Sequence, residues 1–297
     1  MTYVFFPGCS LDSTAKDYYL STLAVARALK LDLPELPDWT CCGSTPAHQS
    51  SELLSLALPA KNLLAASGNT VAVACAACYS RLKTANHRIT SDVSVRGEVA
   101  DALGVDYDGS TPVKHLLEII RDDLGYAAVA KRVTKPLKGL RVAAYYGCLL
   151  VRPPEVTRFD DPENPRVLDD VLEAAGAETV DWPHKTECCG ASYSITNPEI
   201  VWLLSREVLA MASDAGADCI ATACPLCQLN LDMRQRDIEA RYGERFGLPV
   251  LYFTQLLGIA FGLAPSDLGF RRLMVDARPL LAKKGLLAES ATAAVAR

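Results

Sequence analysis

The 297-residue, 32.0 kDa chain is long enough for two domains of ordinary size, and with half its residues hydrophobic, 22% charged and a mean hydropathy of +0.12 it is neither disordered nor fibrous. Its 30 basic and 35 acidic residues give a net charge of −5 and a pI near 5.5, so it lacks the cationic excess that a phosphate backbone demands. Apolar runs such as 53–58 and 71–77 fall far short of the roughly 20 residues that span a bilayer, and no signal-peptide pattern opens the chain, so a cytoplasmic location without a membrane span is expected.

In chain order, the apolar run Tyr3–Phe6 ends at Pro7-Gly8 and reads as a strand and turn. Residues 17–30 carry helical periodicity, and 49–66 read as a long helix bent at Pro59. Residues 70–75 lean towards strand and lead into Cys75-x-x-Cys78, with a helix over 80–87. Lys131, Arg132, Lys135, Pro136, Lys138 and Gly139 then break the apolar pattern, which places a domain boundary between residues 1–138 and 139–297. The second part repeats the scheme. Arg141–Tyr145 is a strand before Gly147, a charged, proline-rich loop covers 152–166, and helices are expected over 165–175, 199–215 and 229–242. Residues 218–224 again lean towards strand before Cys224-x-x-Cys227, and 271–297 read as an amphipathic or frayed helical tail. Alternating strands and helices predict an α/β fold of two pseudo-symmetric halves, each with parallel strands flanked by helices. Sites in such folds gather at the carboxyl ends of strands, where Cys9, Cys75, Cys148 and Cys224 fall.

Eleven cysteines dominate the reading, and ten of them form two sets of five. In the first set Cys9 is followed after 31 residues by Cys41-Cys42, and after 32 more by Cys75 and Cys78. In the second Cys148 is followed after 39 residues by Cys188-Cys189, and after 34 more by Cys224 and Cys227. The flanking sequence repeats too: Phe6-Pro7-Gly8-Cys9 echoes Tyr145-Tyr146-Gly147-Cys148, and Cys41-Cys42-Gly43-Ser44 echoes Cys188-Cys189-Gly190-Ala191. Trp39 and Trp182 precede the two vicinal pairs. Cys219, in an apolar strand-like run, is expected to be a buried small hydrophobe.

Clustered thiols in a reducing compartment read as metal ligands or redox groups. A structural zinc or a cubane iron–sulfur cluster takes four thiolates, and each set offers five. Vicinal cysteines diverge from one backbone and reach two metal atoms more readily than one, so five thiolates suggest an iron–sulfur core opened beyond a cubane. Zinc in one set, or a strained vicinal disulfide, are the alternatives. His48 and His184 flank the cysteine pairs and Tyr193 occupies the region corresponding to His48; these are the candidate proton donors, against a plain role as loop residues. Arg152, Arg158 and Lys185 either attract an anionic substrate or sit on a solvated surface.

Together with Asp38-Trp39-Thr40-Cys41-Cys42-Gly43, Asp160-Asp161-Pro162-Glu163-Asn164-Pro165 and Cys224-Pro225-Leu226-Cys227-Gln228-Leu229-Asn230-Leu231-Asp232, these motifs resemble the cysteine-rich CCG family in the form found in the B subunits of heterodisulfide reductases. The likeness runs over residues 1–262, with slightly shorter intervals before the Cys-x-x-Cys pairs. It implies two noncubane [4Fe–4S] clusters, one held by Cys9, Cys41, Cys42, Cys75 and Cys78 and one by Cys148, Cys188, Cys189, Cys224 and Cys227. It further implies a disulfide or thiol substrate between them, an iron–sulfur C-type subunit and a flavin A-type subunit as partners, and reduction of a mixed disulfide or the reverse chemistry on lipoate-bound sulfur of a carrier protein. The second reading is an electron-relay subunit of a lactate, glycolate or succinate-type oxidoreductase, and the third a zinc-stapled scaffold.

Overall fold

The structure is a computed structural model that describes residues 2–44 and 46–288. It contains two parallel sheets. The first has strand order β1 (Tyr3–Phe6), β2 (Thr70–Val73), β3 (Val113–His115), and the second β5 (Glu178–Thr179), β4 (Arg141–Tyr145), β6 (Cys219–Thr222), β7 (Val250–Tyr252). Every pairing is parallel. The expected α/β architecture, two repeats of parallel strands flanked by helices, is what the chain adopts. β1, β2 and β3 correspond to β4, β6 and β7. The small β5 has its counterpart in a single parallel bridge between Phe5 and Glu35.

Helices cover both faces of each sheet, so the central strands β2, β4 and β6 are mostly apolar rather than alternating: Val71, Ala72, Val73, Val142, Ala143, Ala144 and Tyr145 are all fully buried. The core is continuous across the halves. They clasp each other reciprocally. The Tyr18 ring of the first half stacks on Tyr252 of the second at 4.0 Å and 2°, while Phe159 of the second packs edge-on against His115 of the first at 6.1 Å. The Tyr79 hydroxyl donates to the Thr157 carbonyl at 2.9 Å, and Ser21 and Thr254 hydroxyls lie 2.7 Å apart.

Several expected elements change at their ends for local reasons. The helix anticipated over 49–66 is two helices, Pro46–Ser50 and Glu52–Ala65, because the Ser51 hydroxyl caps the second by accepting from Leu54 N–H. The helix expected from residue 80 starts at Ala76, capped by the Cys75 sulfur, and runs to Ser91. That expected over 229–242 breaks at Arg234 into Pro225–Met233 and Gln235–Tyr242. The tail is a 3₁₀ turn, Phe270–Arg272, and a short helix, Arg278–Lys283; residues 289–297 of the expected helix lie outside the described residues.

Candidate functional site

All four leading cysteines follow the carboxyl ends of strands: Cys9 after β1, Cys75 after β2, Cys148 after β4 and Cys224 after β6. The turns into Cys9 and Cys148 require glycine. Gly8 and Gly147 have φ of +67° and +66°, and a Cβ on either would sit 3.0 Å from the sulfur of Cys78 or Cys227. Each turn thus presses its backbone against the last cysteine of its own set. Trp39 packs edge-on against Phe6, and Trp182 packs against Tyr145, so each tryptophan seats the loop to the vicinal pair on the aromatic that ends the strand.

The two quintets assemble. All eleven cysteines are free thiols. In the first half the sulfurs of Cys9 and Cys41 are 3.9 Å apart and those of Cys42 and Cys78 3.3 Å apart, while Cys75 Sγ accepts the Cys78 N–H at 3.5 Å. In the second, Cys189 and Cys227 sulfurs are 3.7 Å apart, and all five cysteines line one cavity. The sets adjoin where Ala76 and Ala77, inside the first Cys-x-x-Cys turn, line the same cavity as the second set, and the Cys75 and Cys224 thiols shift each other's pKa, Cys75 up and Cys224 down. No three His, Cys, Asp or Glu side chains among the described residues are grouped to hold a lone metal ion. Cys219 is fully buried in β6, as expected of a packing residue.

Electrostatics repeat between the halves. Cys41, through hydrogen bonds from neighbouring Cys42 and Cys9 and from the Gly43 N–H at 3.4 Å, is held down to about 2. Its counterpart Cys188, bonded by Cys148 and by the Gly190 N–H at 3.3 Å, is held down to about 6. Cys9 and Cys148 move up, each first because it gives its proton to that thiolate. The glycine after each vicinal pair therefore supplies an N–H that favours a sulfur anion.

Buried amides fix the loops. Asn62 accepts from Thr40 N–H at 2.7 Å and donates to Thr40 O at 3.0 Å, next to Cys41. Asn230 donates to Cys189 O at 3.1 Å and reaches its sulfur at 3.6 Å, and Ser205 donates to the same carbonyl. The Tyr145 hydroxyl donates to Glu187 O at 2.6 Å, just before Cys188. The only signal for Asn62 in the sequence is a lone amide in a mostly apolar helix, which by itself points to no role.

The charged candidates divide. Lys185 is neither solvated nor free to meet an anion. It is buried and paired with Asp169 at 2.9 Å, whose other oxygen takes the Tyr146 hydroxyl at 2.6 Å. The Lys185 carbonyl accepts Tyr146 and Gly147 N–H groups at 2.9 and 3.1 Å, which ties this ion pair to the turn before Cys148. Arg152 pairs with Glu163 at 2.9 Å and donates to Thr186, and Arg158 is exposed. His48 is exposed on its short helix, and partial desolvation, with Arg81 nearby, lowers its pKa. Tyr193 is 46% exposed; His184 is half-buried, with its Nδ1 unbonded among the described residues. A cavity of about 80 Å³ is lined by the five cysteines of the second set, by Tyr146, Leu149, Ala191, Ser192 and Leu226, and by Ala76 and Ala77 of the first half. It opens between the two Cys-x-x-Cys turns.

The family profile of the CCG cysteine-rich domain matches residues 3–83 and 142–232, the two repeats just described. The chain belongs to the CCG cysteine-rich domain family. This CCG protein is 31% identical to the B subunit of the ferredoxin/F(420)H(2)-dependent CoB-CoM heterodisulfide reductase of Methanosarcina acetivorans, over 94% of this chain and 95% of that one. It is 30% identical to the 8-methylmenaquinol:fumarate reductase membrane anchor subunit of Wolinella succinogenes, over 94% and 98%. A protein of Archaeoglobus profundus described as like the heterodisulfide reductase B subunit matches at 28% over 89% and 92%. The resemblance seen in the motifs holds. A solved hypothetical protein from Helicobacter pylori superposes with a TM-score of 0.73 at 14% identity, covering 92% of this CCG chain and 52% of that one, and shares its fold. Among the described residues no helix is long and apolar enough to cross a membrane.

Proposed function

We propose that this CCG protein is the iron–sulfur subunit of a reductase complex in which a disulfide is interconverted with two thiols between two noncubane [4Fe–4S] clusters. Kinship with heterodisulfide reductase B subunits supports the coarser part, an iron–sulfur reductase subunit acting on sulfur compounds. The observation that carries the finer part is the adjacency of the two five-thiol sets across one cavity, lined by all five cysteines of the second set and by Ala76 and Ala77 from the Cys-x-x-Cys turn of the first.

The donor set fits such clusters. Five free thiols per half, sulfur separations of 3.3–3.9 Å and glycine N–H groups aimed at Cys41 and Cys188 suit an electron-rich core of several irons. On this reading Cys9, Cys41, Cys42, Cys75 and Cys78 hold one cluster, and Cys148, Cys188, Cys189, Cys224 and Cys227 the other. When bound, the pair supplies two electrons, one from each cluster, for a disulfide that takes up two protons and leaves as two thiols. The chain does the rest. Ala76, Ala77, Leu149 and Leu226 give the cavity apolar walls that exclude water. Asn62, Asn230 and Ser205 fix the vicinal cysteines. For the protons we assign the side chains flanking the pairs, His48, His184 and Tyr193. The partners on this reading are an iron–sulfur C-type subunit and a flavin A-type subunit, with a lipoate-bearing protein as substrate if the reaction runs oxidatively.

One observation favours a second reading, an electron relay: the Wolinella fumarate reductase relative is as similar as the heterodisulfide ones. Adding thiol to the oxidised, anaerobic protein separates the two. Sulfur chemistry predicts a new paramagnetic signal that ³³S-labelled thiol broadens. An unchanged spectrum, with full iron content, supports relay and overturns the proposal.

A further inference from the structure

Tyr18 and Tyr252 are fully buried, come from different halves, and belong to neither cysteine motif. Their rings stack with planes 2° apart and centroids separated by 4.0 Å. Each hydroxyl turns back to the Cys-x-x-Cys turn of its own half. The Tyr18 hydroxyl donates to the Ala74 carbonyl at 2.8 Å, immediately before Cys75. The Tyr252 hydroxyl donates to Gln228 Oε1 at 3.3 Å, immediately after Cys227. An unbroken line of contacts therefore runs from one turn, through two hydroxyls and two rings, to the other. These are the turns whose Ala76, Ala77 and Leu226 line the cavity.

We infer that the stacked pair is a positioning element that sets the width of the cavity between the two Cys-x-x-Cys turns. Both ends of the line are anchored. The Ala74 carbonyl also accepts from His115 Nε2 at 2.9 Å, and the Nδ1 of that ring takes the Leu117 N–H at 3.2 Å. Gln228 is fixed by its backbone N–H on Cys224 O at 3.0 Å, and by its Nε2 on Asp232 at 3.1 Å and Val250 O at 3.3 Å. The middle is anchored too. A stack by itself tolerates sliding, and the Ser21 and Thr254 hydroxyls, 2.7 Å apart, fix its offset three and two residues further on, while Phe253 packs edge-on against Tyr18 at 6.3 Å. Burial raises both phenols well above their ordinary pKa, so both hydroxyls keep the protons that these bonds need. The clasp on the other side of the seam is built differently. Phe159 packs against His115 and has no hydroxyl to give, and Tyr79 donates to Thr157 O, which belongs to neither turn.

The inference rests on the proposed two-cluster reading for its redox consequence but not for its geometry, so two readouts are needed. Crystal structures of the wild type, Tyr252→Leu and the double variant Tyr18→Phe/Tyr252→Phe measure the distance from Ala74 O to Gln228 Cα whatever metal is bound. Leucine removes the stack and should widen that distance by about 0.5 Å or more, beyond the tolerance of a preorganised site. The double variant keeps the volume and the stack but cuts both bonds to the turns. It should widen the distance by less, whereas rings that merely fill the core would leave it unchanged. In the anaerobic, iron-loaded protein, spin–spin interaction between the two centres should weaken in the same order at equal iron content. A distance unchanged in either variant, or the same interaction in all three proteins, overturns the inference. Should Tyr252→Leu not fold, the isosteric double variant decides alone. Iron absent from the wild type would sink the cluster reading, and the crystallographic distances would still decide the inference.

Discussion

Replacing Lys185 by methionine isolates the buried ion pair behind the second site. Asp169 is fully buried, and its Oδ1 loses the ammonium 2.9 Å away; Oδ2 keeps only the Tyr146 hydroxyl, and the Arg166 guanidinium stands 3.5 Å off, half exposed. Breaking one side of a buried pair costs about 3–5 kcal/mol. At about 2–4 °C per kcal/mol for a chain of this class, Tm should fall by roughly 6–20 °C at pH 8. Desolvation already raises the Asp169 pKa, opposed by Tyr146 and Lys185. Without Lys185 it rises further. A carboxyl whose folded pKa lies above its unfolded one stabilises the fold below the unfolded value and loses that contribution as pH rises through the folded value. The defect should therefore shrink as pH falls, when the folded protein can hold Asp169 protonated. Adding Asp169→Asn, which still accepts from Tyr146, should recover most of the loss at pH 8. Differential scanning calorimetry of both variants at pH 5 and 8 is the assay. A pH-independent loss, or a double variant no more stable than the single one, would refute the reasoning.

Other expectations follow from the same geometry. Asp17, buried where the Lys16–Ala28 helix begins and raised to about 6 chiefly by desolvation, costs the fold about 3 kcal/mol once ionised; Asp17→Asn should raise Tm at pH 7.5 and leave it unchanged near pH 3.5, and a gain of equal size at both would contradict this. Asn62→Ala strands the Thr40 backbone groups at about 1–3 kcal/mol, so iron should fall from the first site while the second keeps its own, as counted by metal analysis. Gly147→Ala forces an alanine to φ near +66°, at about 1–2 kcal/mol, and drives its methyl into Cys227. It should spare the first site and deplete the second, with Gly8→Ala doing the reverse.

The repeat is legible in the sequence because thiol chemistry and glycine turns leave residue identities behind. Gly8 and Gly147 stand where φ is positive, and Cys9, Cys75, Cys148 and Cys224 follow strand ends. Strands β3, β5 and β7 are not legible. They are two or three residues long, and periodicity over so few positions carries no signal. Lys185 reads wrongly because burial of a lysine depends on a partner 16 positions away, which no local pattern discloses. His115 and Asn62 escape notice for a related reason. Their bonds go to backbone carbonyls and amides, which every residue possesses, so nothing in the partner's identity points back to them.

The central claim is that ten thiols form two iron–sulfur sites, and metal and acid-labile sulfide counted per chain under anaerobic conditions test it most directly. The account predicts about eight irons and eight sulfides in the wild type, and about half of each after Cys42→Ser or Cys189→Ser. Zinc in place of iron, or counts that neither substitution alters, would contradict it.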